Sequence, residues 1–289
     1  MLEARRLDAP FGVEIRGVDF SEDQPESVIR ELIHLFHKHQ VMKVPDQHLT
    51  AEQYGRFGEW FGRPHPHVID QARLPGVPGV SLLSNANEER RNGAVYWHTD
   101  NSYEEDPATA TMLYAVSVPE TGGDTVVADM YQAYADLPEK MKALIDPMIT
   151  TNAYVNRDAE LGETVLPPLR AHQQAKLSVP RHPLVMRHPV TGRKALYAVG
   201  GTSIGIEGMP RDEAVALLRE LKFHSVQDKY VISVSYQLNE IAGWDTLATL
   251  HAATPLPAPV DPKMLRRMWR CSVKGLSPYA QPYRDDKAA

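Results

Sequence analysis

The chain has 289 residues, 43% hydrophobic and 24% charged, a composition that argues against disordered, collagen-like and membrane-embedded classes. At ~100 to 200 residues per domain, the length fits one large domain or two small ones. Lys plus Arg total 31 against 37 Asp plus Glu, a formal net charge of −6. No basic block offers the positive stripe that a phosphate backbone demands, so no nucleic-acid partner is expected.

The first residues, MLEARRLDAPFGVEIRG, contain no apolar run suited to a signal peptide. Nowhere do ~18 apolar residues follow one another, so no membrane span or membrane partner is expected either. No internal repeat and no linker interrupts the chain, which predicts a single domain over 1–289. Ile29, Leu32, Ile33 and Phe36 recur at helical offsets within residues 25–39 and predict an amphipathic helix. A second helix is predicted from Thr50, whose hydroxyl and the following Gln53 form a capping-box pattern, with Tyr54, Phe57, Trp60 and Phe61 as the apolar stripe. Beyond residue 80 the runs VSLLSN, TATMLYAVSV and DTVVADM read as strands. A helix is expected at 130–145, ending before Pro147. Residues 155–182 lack any clear period and read as a long loop, of the kind that serves as a lid. PLVMRHPVTGRKALYAVGG reads as a hairpin turning at Pro189–Gly192. A helix near 210–223 carries Val215, Leu218 and Leu221 on one face, and further strands fill YVISVSYQLNEIAGWD, TLATLHAATP and MWRCSVKG. Many strands, few helices and no regular βαβ alternation favour a mainly β barrel or sandwich flanked by helices. Cys271, the single cysteine, cannot form an internal disulfide, which suits a reducing, cytoplasmic setting.

The chemistry centres on His98-Thr99-Asp100. If this segment is the end of a strand, the imidazole and carboxylate lie on one face and can converge on a metal. An HxD triplet is common by chance, so a third ligand is needed, and His251 within GWDTLATLHAATP is the candidate. Two His and one carboxylate on one face of an ion leave three positions open, the arrangement of non-heme Fe(II) oxygenases. The same three residues would also suit a zinc hydrolase or a non-catalytic metal or small-acid binding protein on the same barrel.

The ordered segments FGVEIRGVDF, VMKVPDQHLTAEQYGRFGEWFG, YWHTDNSYEEDPATATMLYAVSVPETGGDT, PLVMRHPVTGRKALY, GWDTLATLHAATP and RRMWRCSVKG resemble the taurine/2,4-dichlorophenoxyacetate dioxygenases. The resemblance implies a double-stranded β-helix, a jelly-roll or cupin-like fold. It implies Fe(II) held by His98, Asp100 and His251, with 2-oxoglutarate as cosubstrate and dioxygen as oxidant. It places Thr125 and Arg266 at the distal carboxylate of 2-oxoglutarate, and His67, Asn101 and Arg270 at the primary substrate. The implied reaction hydroxylates a small or medium organic acid with release of succinate and CO2, and a homo-oligomer, dimer or tetramer, is expected. The taurine enzymes use a Tyr three residues after the loop His and an Asn four before the first metal His, where this chain has Asp70 and Ala94. An acid without a free amine is therefore expected in place of taurine. Thr246 and Ala252 also depart from the pattern, at positions that should alter support and not ligation.

Arginine suits carboxylates because its planar fork binds them bidentately. Arg266 and Arg270 are four apart and so share one side of a strand, whereas Arg267 points away. Cys271 should face the core as a small hydrophobe. His34, His37 and His39 read as solvated helix residues, His182 and His188 as flanking or capping the hairpin, and Asp245 as a structural acceptor at a turn.

Overall fold

The computed structural model describes residues 2–87, 94–163 and 165–284. Strand Ala108–Ser117 lies at the heart of an eight-stranded sheet, between Ile241–Asp245 and Arg267–Lys274. It is buried on nearly every residue, which explains why ATATMLYAVS reads as a continuous apolar run instead of an alternating one. Beyond Ile241–Asp245 come Val41–Val44, Val13–Arg16 and Glu3–Arg6, while Val80–Ser84 and Arg63–Pro64 pair with Arg267–Lys274. A smaller sheet consists of Val231–Val234, Thr125–Asp129 and Thr249–Ala253, all antiparallel. Leu113, Ala242, Trp244 and Met268 from the large sheet share one buried cluster with Val127, Ile232 and Val234 from the small one. The two sheets, antiparallel apart from the parallel pair Val13–Arg16 and Val41–Val44, pack over this core as the expected jelly roll.

Helix Glu26–His39 buries Ile29, Leu32, Ile33 and Phe36 as their spacing predicts. Helix Ala51–Glu59 has the full capping box, with the Gln53 amide donating to Thr50 Oγ1 and the Thr50 amide donating to the Gln53 side chain. Both helices cover the large sheet, Leu32 and Phe36 of the first and Tyr54 and Phe57 of the second sharing one buried cluster with Met112 and Cys271. Cys271 faces this core, as alternation with Arg270 requires, and burial pushes its thiol up to about 12. Helix Arg211–Ser225 starts directly after Pro210 and buries Leu218 and Leu221, with Val215 half-buried.

The helix expected over 130–145 is two helices, Met130–Ala135 and Glu139–Ile145. Pro138 supplies no amide proton and disfavours the helical conformation at Leu137, so the chain turns there and restarts with Pro138 as the N-cap. The hairpin pairs Val185–Arg187 with Lys194–Leu196, and its turn is tied by the His188 ring, whose Nδ1 accepts from the amides of Val190 and Thr191. Residues 155–182 include the 3-10 turn Arg157–Leu161, the helical turn Ala171–Gln174 and the start of strand Arg181–Pro183. The last of these joins a third sheet with Ile149–Asn152 and Ser203–Ile206.

Candidate active site

His98 and Asp100 converge on His251, although not from a regular strand. His98 makes one antiparallel bridge to His251, its amide donating to His251 O at 2.8 Å and its carbonyl accepting from the His251 amide at 3.0 Å. The chain then turns, so the bridge and the turn, not a pleat, aim both side chains at one point. Gly200 packs behind this segment, where a Cβ would stand 2.4 Å from Trp97 O and 2.9 Å from His98 Cα, so a larger residue would push the His98 backbone away.

The ligand atoms of His98, Asp100 and His251 lie within 4.8 Å of one another. His98 Nε2 is 3.7 Å from Asp100 Oδ1 and His251 Nε2 is 3.5 Å from Asp100 Oδ2, too long for good hydrogen bonds and short enough to share one ion. His98 Nδ1 lies 2.8 Å from Tyr96 O, a pure acceptor, so the ring proton sits on Nδ1 and the Nε2 lone pair faces the centre. Burial pushes both imidazoles down, His251 to about 3 with help from His98, so both are neutral ligands near pH 7. Burial alone would raise the Asp100 carboxyl, but Arg270, His251 and His98 hold it well below the ordinary range. Asp100 Oδ2 is buried with no hydrogen-bond partner. An orphaned carboxylate oxygen between two neutral imidazoles fits a divalent cation, which would satisfy all three at once.

A second His-Asp-His set behaves differently. His37 Nδ1 lies 2.7 Å and His188 Nε2 3.0 Å from Asp245 Oδ2, and all three residues are buried. Because His188 Nδ1 already accepts two amides, its proton belongs on Nε2, facing the carboxylate. That arrangement is a clasp of close contacts: His37 Nδ1 hydrogen-bonds Asp245 Oδ2, whereas His188 Nε2 approaches the same oxygen without hydrogen-bond geometry. His37 is thus no solvated helix residue: it sits on the buried face beside Phe36 and meets a carboxylate from the sheet, information that helix periodicity does not contain. His34 is exposed and His39 half-buried. His188 caps the hairpin turn as expected, and Asp245 is the structural acceptor.

A cavity of about 180 Å³ opens beside the first triad. Thr125, Arg266, Arg270, His67 and Asn101 all line it, so the structure brings every sequence-predicted site residue together. Arg266, one residue before strand Arg267–Lys274, donates through Nε to Gly123 O at 2.9 Å and lies over the Tyr236 ring. Gly123 has φ +81° and packs against Arg266, where a Cβ would come within 2.9 Å of Cδ. Thr125 Oγ1 is 2.6 Å from Tyr236 OH. Arg267 is exposed, as strand alternation requires. Arg270 donates to Asp100 Oδ1 at 2.8 Å, so its buried charge is paired. Thr246 Oγ1 donates to Ala108 O, which confines this departure to support of the strand. Asp70 is absent from the cavity wall; it receives His172 Nε2 at 2.8 Å and Gln173 Nε2 at 2.9 Å, tethering Ala171–Gln174. Ala94 lines the wall, while its neighbours 88–93 lie outside the described residues. Sequence reasoning missed Tyr236, Trp244 and Glu104. Trp244 lies with its ring centre 4.7 Å from that of His251, and Glu104 bonds Asn101 from behind the wall. The only signal for Glu104 was its place three residues after Asn101, where its amide closes a turn on Asn101 O.

Comparison with known proteins agrees with this geometry. The family model described as taurine catabolism dioxygenase TauD, TfdA family matches residues 3–272. The chain belongs to that family. It is a dioxygenase that uses Fe(II), 2-oxoglutarate and dioxygen, which removes the hydrolase and non-catalytic alternatives. The (S)-phenoxypropionate/alpha-ketoglutarate-dioxygenase of Sphingobium herbicidovorans is 30% identical over 277 residues, 93% of either chain. The alpha-ketoglutarate-dependent sulfate ester dioxygenase of Pseudomonas putida is 28% identical, over 92% of this chain and 88% of its own. A longer relative from Schizosaccharomyces pombe matches over 87% of this chain and 65% of its own length. Among solved structures, AAD-2 in complex with Mn(II) and N-oxalylglycine superposes with a TM-score of 0.79 at 26% identity, covering 97% of this chain and 100% of that one. No helix among the described residues of this dioxygenase is long and apolar enough to cross a membrane.

Proposed function

We propose that His98, Asp100 and His251 hold the Fe(II), that Thr125 and Arg266 bind the distal carboxylate of 2-oxoglutarate, and that Arg270, His67 and Asn101 receive a small or medium organic acid. The observation that carries this reading is register. His251 pairs with Val127 and Ala253 with Thr125, so Thr125 lies two residues from the metal histidine, about 7 Å along the strand at ~3.4 Å per residue. A five-carbon diacid chelating a metal at one end spans that distance. Arg270 beside Asp100 and Arg266 four residues away then form two separate anion clamps, one for each acid. When bound, the metal and cosubstrate supply dioxygen activation coupled to decarboxylation, with succinate and CO2 released. The protein's own part is to keep two imidazoles neutral, pair the Arg270 charge and leave one carboxylate oxygen free.

Tyr96, Tyr103, Tyr154, Leu83 and Leu166 give the cavity an aromatic and apolar wall, which suits an acid with an aryl or alkyl body, such as an aryloxy acid, sulfonate or alkyl sulfate. The relatives named for phenoxypropionate and sulfate esters support that class. Residues 1–289 serve as one catalytic domain with 155–182 as a lid, of which Leu166 and Pro167 reach the cavity and Thr164 lies outside the described residues. The enzyme works in the cytoplasm as a homo-oligomer, a dimer or tetramer.

The test is spectroscopic. Anaerobic Fe(II) plus 2-oxoglutarate should give a weak visible charge-transfer band that His98→Ala and Asp100→Ala abolish. Persistence of the band in both variants would overturn the ligand assignment.

A further inference from the structure

Asn101 follows Asp100 directly and has φ +55°, a left-handed conformation that Asn tolerates better than most residues. The turn fixes its side chain in the cavity wall, buried to 2% exposure. Its Nδ2 donates to Glu104 Oε1 at 2.6 Å. The other oxygen of Glu104 receives Lys274 Nζ at 2.6 Å and His65 Nε2 at 2.9 Å. Burial would raise Glu104, but His65 and Lys274 overcome it and hold it down to about 2, so the carboxylate is ionised and can only accept.

The two ends of an amide are ordinarily hard to tell apart; here the network decides. Glu104 takes one N–H of the amide nitrogen, which fixes the oxygen of Asn101 at the other end of the amide, and no described residue donates to that oxygen. We propose that Asn101 presents a fixed acceptor to the cavity beside the metal carboxylate and thereby selects organic acids with an N–H donor next to the acidic group over isosteric ethers. This rests on the organic-acid reading of the cavity and narrows it. An N–H satisfies the buried acceptor, whereas an ether oxygen sets two acceptors face to face and leaves both unpaired. Arg270, bonded to the same Asp100, places the acid group nearby, and Tyr103 and Tyr154 supply the aromatic wall for the body.

N-phenylglycine and phenoxyacetate differ only by N–H for O next to the carboxymethyl group. Calorimetric titration of each into the full chain loaded with Mn(II) and N-oxalylglycine, a combination that does not turn over, reads the preference without catalysis. N-phenylglycine should bind about ten- to hundredfold more tightly, the range for one unsatisfied buried polar group. Asn101→Leu should erase the difference while still binding N-oxalylglycine, which shows that the variant is folded. Glu104→Gln, which lets the amide of Asn101 rotate, should shrink it. Equal or tighter binding of phenoxyacetate by the unaltered protein, or a preference unchanged in Asn101→Leu, would overturn the inference while the organic-acid reading stands. Failure of both acids to bind would overturn that reading and this inference with it.

Discussion

Arg270 and Arg266 occupy one side of the same chain segment yet face different demands. Arg270 is paired with Asp100, a metal-binding candidate, whereas Arg266 bonds a backbone carbonyl and stacks on Tyr236. On the proposed assignment, Arg266→Ala removes the partner of a buried carboxylate, a loss of ~3 to 5 kcal/mol. The KM for 2-oxoglutarate should then rise by about a hundredfold to a few thousandfold, at ~1.4 kcal/mol per tenfold. Steady-state kinetics at varied 2-oxoglutarate checks this, and an unchanged dependence identifies the wrong arginine. Arg270→Ala should instead raise the KM for the primary substrate with 2-oxoglutarate dependence nearly intact, and succinate should still form without coupled hydroxylation. Arg270→Lys, which keeps the charge and loses the fork, should fall between the two.

At the level of elements, the clasp around Asp245 joins helix Glu26–His39, the end of strand Ile241–Asp245 and the hairpin at His188. The same residue organises the turn into the next strand: its Oδ1 accepts from the Leu247 amide and its backbone carbonyl from the Thr249 hydroxyl. That strand carries His251, so the clasp sets the register of a metal-binding candidate from behind. Asp245→Asn should cost about 1.5 to 3 kcal/mol, the range for hydrogen bonds to a charged group, because the buried carboxylate's bonds to His37 and the Leu247 amide are weakened. Urea unfolding measures the loss, and a change below about 1 kcal/mol would show that the surrounding bonds hold the turn without the charge. A parallel loss of Fe(II) affinity in the same variant would show that the register reaches His251.

For the whole molecule, the shifted carboxylates away from the proposed metal site are held down, apart from Glu240, which burial pushes up. Burial pushes Asp158, Asp245 and Glu104 up, but their partners win and hold all three below ordinary values, Glu104 from 4.5 to about 2. A carboxyl depressed in the folded state stabilises the fold above its unfolded value and loses that contribution as pH falls through its folded value. Thermal stability should therefore decline gently from about pH 6.5, where histidines held neutral by burial such as His182 and His251 gain protons on unfolding, and fall steeply below about 4.5, as a melting series from pH 7 to 3 would record. Asp158 is the largest node: fully buried, it meets Arg157, Arg219 and Lys222 and pins residues 156–163 to helix Arg211–Ser225. Asp158→Asn should lower stability at pH 7 by ~3 to 5 kcal/mol and flatten the acid limb. Retention of the full acid limb would place the titrating groups elsewhere. One half of the proposed lid is thus anchored by charge and the other tethered through Asp70, with the span between them reaching the cavity.

What the sequence determined by itself was whatever local chemistry encodes. Apolar spacing defined Glu26–His39, a hydroxyl and an amide at Thr50 and Gln53 capped the next helix, and Pro-Val-Thr-Gly turned the hairpin. Alternation put Arg270 toward the cavity and Cys271 toward the core. The ordered motifs supplied the family and, with it, the triad. The break at Pro138 was missed: its missing amide splits the helix expected over 130–145 in two. Other features depended on residues far apart in the chain. His37 reads as a surface histidine until strand Ile241–Asp245 brings a carboxylate to its ring, across 208 positions. Asp70 occupies a substrate-binding position of the taurine enzymes, yet it bonds His172 and Gln173 instead. The Asn101 amide is oriented by Glu104, whose charge is held by His65 and by Lys274, 170 positions away. Periodicity and capping act within a few residues, whereas burial and charge pairing are decided by which distant side chains the fold brings within 3 Å.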